Sequence, residues 1–187
     1  MTSAMPEFVA FPKTPRFFRD IIITEKLDGT NAQVYVTEDG QVFAGSRNRW
    51  LTPQNDNFGF AAWVAEHQDE LLELGPGRHF GEWWGKGIQR GYDLECRRFS
   101  LFNTKRFSHP LSRPPCCDVV PVLYEGLMSS WDIYDATLTL RTLGSIAAPG
   151  FMKPEGIIIF HTASNQGFKV LLENDDISKS SIHPITA

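Results

Sequence analysis

Lys26 stands just beyond the β-branched run Ile21-Ile22-Ile23 and is followed by Asp28-Gly29. Such a run entering a glycine-containing turn reads as a strand feeding a tight loop, which sets the Lys26 ammonium at the end of a rigid element, where a nucleophile belongs. The same residues also fit a solvated lysine at a strand end with an ordinary turn after it. Three other groups invite attention. Glu82 lies among glycine and aromatics in Phe80-Gly81-Glu82-Trp83-Trp84-Gly85, Glu155 precedes Gly156 and the apolar run Ile157-Ile158-Ile159-Phe160, and Lys169 is the single cation of Gly167-Phe168-Lys169-Val170-Leu171-Leu172. Taken singly, these fit a turn residue, an edge charge and a strand lysine.

The elements that must position them alternate between strand-like and helical periodicity. Residues 1–19, rich in proline and phenylalanine, read as an irregular arm packing across the domain. A strand ends at Lys26. Ala32 to Val36, the turn Glu38-Asp39-Gly40 and Gln41 to Ala44 read as a hairpin, with Ser46-Arg47 at its far end. Phe60, Trp63, Val64, Leu71, Leu72 and Leu74 recur at helical spacing, so one helix is expected over 58–74 with Trp63 in the core. Strands follow at His79 to Trp84 and at Arg97 to Asn103. Within each, alternation sends Trp83 and Trp84, and likewise Phe99 and Phe102, to opposite faces. Between them Gly85 to Gly91 is too glycine-rich for a regular element and is expected to be a mobile loop. It lacks the Gly-Lys-Ser/Thr ending of a phosphate-binding loop. After a proline-rich connector, Val119 to Tyr124 reads as a buried strand. Ser130 is placed as the cap of a helix running to about Ile146, with Ile133, Leu138, Leu140 and Leu143 inside. Glu125-Gly126 precedes that helix, unlike Glu155-Gly156, which opens a strand.

Composition excludes several classes. The 187 residues are enough for one well-filled core, and 42% apolar with 21% charged residues is the balance of a soluble globular protein. No run of about eighteen apolar residues and no basic-then-apolar leader is present, which leaves a cytoplasmic protein as the expectation. Cys116 and Cys117 are adjacent and Cys96 is distant, which is neither a disulfide framework nor a metal spacing, and the five histidines are scattered. The net charge of −4 has the wrong sign for coating nucleic acid, so such contacts must be local, at patches such as Arg47 with Arg49 and Lys86 with Arg90.

Glu25-Lys26-Leu27-Asp28-Gly29-Thr30-Asn31 resembles motif I of the covalent nucleotidyltransferases, which comprise the ATP-dependent polynucleotide ligases and the mRNA capping enzymes. Its leading Glu and closing Asn resemble the RNA ligase branch in particular. Further blocks resemble the family's other motifs in order, from Ile21 to Leu172. Ser46-Arg47 is similar to motif Ia, Glu82 in its strand to motif III, Phe99 to Asn103 to motif IIIa, Glu155-Gly156 to motif IV and Lys169 in its strand to motif V. One position departs from the pattern, since Leu171 stands where the family usually has a second lysine. Lys153 or Lys86 is the candidate substitute for that charge.

The resemblance implies an ATP-dependent RNA ligase in which Lys26 attacks the α-phosphorus of ATP to form lysyl-AMP. AMP then passes to a polynucleotide 5′-phosphate, and a 3′-hydroxyl displaces it, as in RNA repair. By position, Glu25, Asp28, Gly29, Asn31, Arg47, Glu82, Phe102 and Lys169 are expected at the nucleotide, with Phe102 stacking on the purine. Glu155, with Asp28, is expected at Mg2+ (or Mn2+), Lys26, Lys169 and Glu155 are the expected catalytic groups, and Arg49, Lys86 and Arg90 are expected on the RNA. A lysine attacks only as the free amine, so positive neighbours, Lys169 and a divalent cation, are expected to disfavour its ammonium.

The implied fold is α+β, a single nucleotidyltransferase (ATP-grasp-like ligase adenylation) domain over 1–187, built on antiparallel sheets with flanking helices. No C-terminal OB-fold is expected after Leu172, and an accessory protein or oligomer is a candidate to replace it. A DNA nick ligase, a capping-type nucleotidyltransferase and a non-catalytic nucleotide- or RNA-binding module of the same fold are the alternatives.

Overall fold

The computed structural model describes residue 5 and residues 7–176; residues 1–4, residue 6 and residues 177–187, part of the expected arm and the tail after the last strand, lie outside the described residues. Among the described residues ten strands form two sheets. The first is antiparallel, in the order β10 (Gln166–Leu171), β9 (Gly156–His161), β1 (Asp20–Lys26), β8 (Val122–Leu127). The second has six strands, in the order β4 (Trp50–Leu51), β3 (Val42–Ser46), β2 (Thr30–Val36), β5 (Gly77–Gly85), β6 (Arg97–Leu101), β7 (Cys117–Val119). It is antiparallel except for the parallel β6–β7 pair. The architecture is therefore α+β, with helices flanking antiparallel sheets.

Each sheet buries one face under helix. Ile21 and Ile23 on β1 and Ile157 and Ile159 on β9 share a face, and α4 (Ser130–Leu143) covers it with Ala136 and Leu140. Fully burying a side chain of that size stabilises by about 1.5–3 kcal/mol, which holds the central strands β1 and β9 in place. On the second sheet Ala32, Val34, Trp83, Phe99 and Leu101 pack under α1 (Phe60–Glu66) and α2 (Gln68–Leu71), and the short α3 (Thr104–Phe107) follows β6. A third cluster of Leu27, Trp84, Tyr92, Val120 and Ala148 sits where the chain passes from one sheet to the other. Trp83 and Trp84 thus enter different clusters, as strand alternation requires.

Several expectations are corrected by local chemistry. The helix over 58–74 is broken into α1, α2 and a 3₁₀ turn, because His67 adopts φ −107° and ψ 22° and both its backbone N–H and its ring Nδ1 approach the Trp63 carbonyl. The strand over Val119 to Tyr124 is two strands in different sheets. Pro121 between them has no N–H to give a ladder, and its carbonyl accepts from Glu25 N at 2.9 Å where the chain crosses over. The cap of α4 is Ser129, whose Oγ accepts from Asp132 N, and Gly144 ends the helix at φ 79°. Leu138 and Leu143 are on its exposed side. The described part of the N-terminal arm is irregular but does not pack across the domain: Phe8 and Phe11 are each 88% exposed. Pro12 and Pro15 deny it the donors with which a segment joins a sheet edge. Among the described residues no helix is long and apolar enough to cross a membrane.

Candidate active site

The register of β1 against β9 builds the centre of the site. Lys26 lies opposite Gly156, and the residue before that glycine, Glu155, turns its buried carboxylate to the lysine, with Nζ 2.5 Å from Oε2. A larger residue than Gly156 would not fit, since a Cβ there would fall 2.2 Å from the Val170 carbonyl oxygen of β10. Lys26 itself keeps 22% of its side chain exposed, so its ammonium is anchored but reachable.

From Lys26 the chain crosses to the second sheet through Leu27-Asp28-Gly29. Gly29 lies so close to β5 that a Cβ would sit 2.4 Å from the Trp83 carbonyl oxygen and 3.0 Å from Glu82 Cγ. That close approach lets Gly29 N donate to Glu82 Oε1 at 3.1 Å. Asn31, directly opposite Glu82 in the β2–β5 ladder, donates from Nδ2 to Glu82 Oε2 at 3.1 Å. Burial pushes the Glu82 carboxyl up to about 7, against the opposing pull of the Lys26 charge and of the Gly29 hydrogen bond.

Asp28 is held from two directions. Its N–H donates to the Tyr92 hydroxyl at 2.8 Å, and its Oδ2 accepts from Arg90 Nε at 2.9 Å. Arg90 Nη1 also donates to the Lys153 carbonyl at 3.0 Å, so this side chain links the β5–β6 loop, the β1–β2 crossing and the segment before Glu155. Gln89, Tyr92 and Asp93 take φ of 46°, 56° and 53°, and Tyr92 is buried against Trp84. Strained backbone of this kind persists where its surroundings over-determine it, so the loop expected to be mobile is instead fastened down beside the site.

Beside Asn31 a cavity of about 280 Å³ is lined by Ala32, Gln33, Ser46, Arg47, Phe80 and Phe102. Phe102 is 42% exposed there, whereas Phe99 is fully buried on the opposite face. A larger, more open depression of about 460 Å³, lined by Ala62, Trp63, Lys86, Glu95 and Arg97, lies on the helix-covered side of the second sheet, as its lining by Trp83 shows. It holds none of the Lys26, Glu82 and Glu155 groups.

The structure thus brings Lys26, Asp28, Gly29, Asn31, Glu82 and Glu155 together, with Arg47 and Phe102 at the adjoining cavity. Lys169 is exposed on β10 and shares the Lys26 face, because it lies opposite Ile158, which lies opposite Thr24. Leu171 stands in the same cross-strand row as Gly156 and Lys26, so the row nearest Lys26 carries no second cation.

Several placements differ from the sequence expectations. The Glu25 side chain points to the opposite face of β1, where its carboxylate accepts from Ser145 Oγ at 2.6 Å, Ile146 N at 2.8 Å and Ala147 N at 2.9 Å, pinning the turn after α4. Burial raises its pKa, countered by those hydrogen bonds. Arg90, expected on RNA, is engaged with Asp28, while Lys86 pairs at the surface with Glu95 at 2.9 Å. The charged group at hydrogen-bond distance from Lys26 is a carboxylate, not the expected positive neighbour. Arg49 donates to the Asn55 and Asp56 carbonyls at the end of β4. Sequence reasoning missed Tyr92. A large aromatic inside a glycine-rich loop is the signal that marks such an anchor.

Among the described residues, no group of three or more His, Cys, Asp and Glu side chains is gathered to hold a metal unaided. Asp28 and Glu155 nevertheless offer hard carboxylate oxygens, a donor set that suits an ion bound jointly with phosphates.

The family model described as RNA ligase matches residues 19–172. A search of curated proteins gave no match. Among solved structures, the fold is similar to a Lys-to-Ala variant of Naegleria gruberi RNA ligase with ATP and Mn, at TM-score 0.59 and 19% identity over 84% of this chain and 51% of that one. A Lys-to-Met variant of the same enzyme with AMP and Mn gives TM-score 0.54 at 20% identity, covering 81% of this chain and 49% of that one. The enzyme with pyrophosphate gives 0.54 at 18%, again covering 81% and 49%. The chain spans about half the length of the ligase structures it matches.

Proposed function

The chain belongs to the RNA ligase family, and from that premise we propose that it is an ATP-dependent RNA-joining nucleotidyltransferase whose nucleophile is Lys26. The observation that carries the reading is the convergence of Lys26, Glu155 and Glu82 from two sheets next to a cavity lined by Arg47 and Phe102. The ATP, AMP and pyrophosphate named with the similar ligase structures support an adenine nucleotide as the substrate in this reading.

In the proposed reaction Lys26 loses one ammonium proton to solvent, opening its pair with Glu155. Nζ then attacks the α-phosphorus of ATP. A P–N bond forms, the P–O bond to pyrophosphate breaks, and a second proton leaves Nζ to give lysyl-AMP. AMP next moves to an RNA 5′-phosphate, restoring Lys26, and a 3′-hydroxyl displaces it as the strand is sealed. Glu155, with Asp28, would hold Mg2+ or Mn2+, which neutralises the charge building on the phosphates. Asn31 and Glu82 orient the ribose, Phe102 stacks on the purine, Arg47 takes the 5′-phosphate, and Lys169 offsets phosphate charge from the Lys26 face of β10.

A non-catalytic nucleotide-binding module is the second reading, favoured by Leu171 in the row where a second cation would stand. Incubation with α-labelled ATP and Mg2+, followed by denaturing electrophoresis, separates the two. A covalent label that moves to 5′-phosphorylated RNA and ends as joined product supports the ligase. Noncovalent ATP binding without label transfer supports the module, and labelling from GTP in preference to ATP supports a capping-type enzyme.

A further inference from the structure

The face of the second sheet that carries Asn31 and Glu82 continues along β2 beyond the nucleotide cavity, and nothing in the proposed reaction uses the continuation. Tyr35 stands on that face four residues past Asn31, about 13 Å at the antiparallel rise. Phe43, opposite it on β3, and Trp50 on β4 complete a group of rings with centroids 6.0–6.4 Å apart. Arg78 of β5 lies over two of them, its guanidinium carbon 4.5 Å from the Tyr35 centroid and 5.3 Å from that of Trp50. Gln33 Oε1 accepts from Arg78 Nη1 at 3.1 Å, and Gln33 Nε2 donates to the Ser46 carbonyl at 3.3 Å. Gln33 also lines the nucleotide cavity, so cavity and ring group share a wall.

Phe43 is 43% exposed and Trp50 48%, a cost in water that a purely structural cluster on a sheet would avoid by closing over itself. We infer that Tyr35, Phe43, Trp50 and Arg78 form a stacking platform for unpaired bases of the RNA strand whose end lies at the nucleotide cavity, an inference that rests on the ligase reading above. Charge selects this occupant. Although the chain is net acidic, Arg78 lies over the rings and Arg47 lines the adjoining cavity, whereas Glu38 and Asp39 lie in the turn at the far end of β2. A phosphate backbone is therefore favoured between platform and cavity and disfavoured beyond the turn. Exposed rings beside guanidinium groups on a sheet face are a sequence-tolerant way to hold single strands, because every base offers a π-face.

The test measures binding of a 5′-phosphorylated single-stranded RNA by fluorescence anisotropy, alongside lysyl-AMP formation. Trp50→Ala combined with Phe43→Ala is expected to weaken RNA binding by about fivefold or more per lost ring and to leave adduct formation unchanged. Trp50→Phe keeps a ring and is expected to bind within about twofold of the parent, on the same sequence-tolerant stacking ground. Arg78→Ala is expected to lower the salt slope by about 0.7 for one lost phosphate contact on a single strand. An oligonucleotide with abasic sites should bind parent and ring-deleted variant alike. Equal binding of intact RNA by parent and ring-deleted protein overturns the platform. So does a change of the ring-deleted protein from dimer to monomer in sedimentation with RNA affinity intact, which would make this face a contact between copies. If RNA binding needs the rings but no adduct ever forms, the platform stands and the ligase reading falls.

Discussion

Arg90 Nε lies 2.9 Å from Asp28 Oδ2, and this pair fastens the β5–β6 loop to the crossing that carries Lys26 from one sheet to the next. A charge that looks free in the sequence is thereby committed to the Asp28 carboxylate beside Lys26, while its neighbour Lys86 stays at the surface with Glu95.

The two cations should therefore separate in function. Arg90→Ala removes a hydrogen bond to a charged, half-buried carboxylate and should slow lysyl-AMP formation by about ten- to a hundredfold. Lys86→Ala should leave that step within about twofold, since exposed pairs contribute little. Single-turnover adenylylation rates of the two variants decide this, and equal slowing by both would remove Arg90 from its positioning role.

Glu25 should behave as a stability residue. Its carboxylate satisfies Ser145 Oγ, Ile146 N and Ala147 N in a buried turn. Glu25→Ala leaves those donors without a partner, at a cost of about 3 kcal/mol or more. Urea denaturation should show the midpoint drop, and adenylylation assayed well below the melting temperature should be largely preserved. A stable variant that has lost ATP binding would instead return Glu25 to the nucleotide.

Glu82 makes stability pH-dependent with a definite sign. Its carboxyl is raised from 4.5 to about 7 in the folded protein, so the fold holds a proton that the unfolded chain releases. Below pH 4.5 the two states are alike in this group. As pH rises toward 7 the folded state loses stability, approaching about 3 kcal/mol, and the loss levels off above pH 7. Glu82→Gln should flatten that slope, so its stability relative to the parent should increase from pH 4.5 to 7.5. Parallel stability curves for the two proteins over that range would contradict the assignment.

Lys169 is expected to be the cation that β10 contributes to the triphosphate. Lys169→Ala should slow adenylylation by about 10² to 10³, the scale of losing one preorganised charge-stabilising group. Its side chain is exposed, so the fold should be unaffected. A rate within a few fold of the parent would leave Lys169 as an ordinary strand residue.

Local signals made much of the site legible. The Ile21 to Ile23 run, the Asp28-Gly29 turn and the glycine next to Glu155 each encode an element end, and Lys26, Asp28 and Glu155 lie at those ends. What stayed hidden depends on contacts between distant segments. Arg90 meets Asp28 across 62 positions, and Glu25 meets Ser145 across 120. Neither contact leaves a periodicity. The helix expected over 58–74 breaks because His67 interrupts the backbone path without interrupting the apolar spacing. The strand expected over Val119 to Tyr124 divides because Pro121 marks a change of sheet where the apolar run itself continues.

The chemistry proposed for Lys26 is tested most directly by proteolysis and mass spectrometry of the protein after incubation with ATP and Mg2+, in parallel with Lys26→Arg. An arginine keeps the charge opposite Glu155 but cannot be deprotonated to attack phosphorus. The expected result is one AMP-modified peptide, carrying the adduct on Lys26, and a folded Lys26→Arg protein with none. An adduct on any other residue, or persistent labelling of Lys26→Arg, would contradict the assignment.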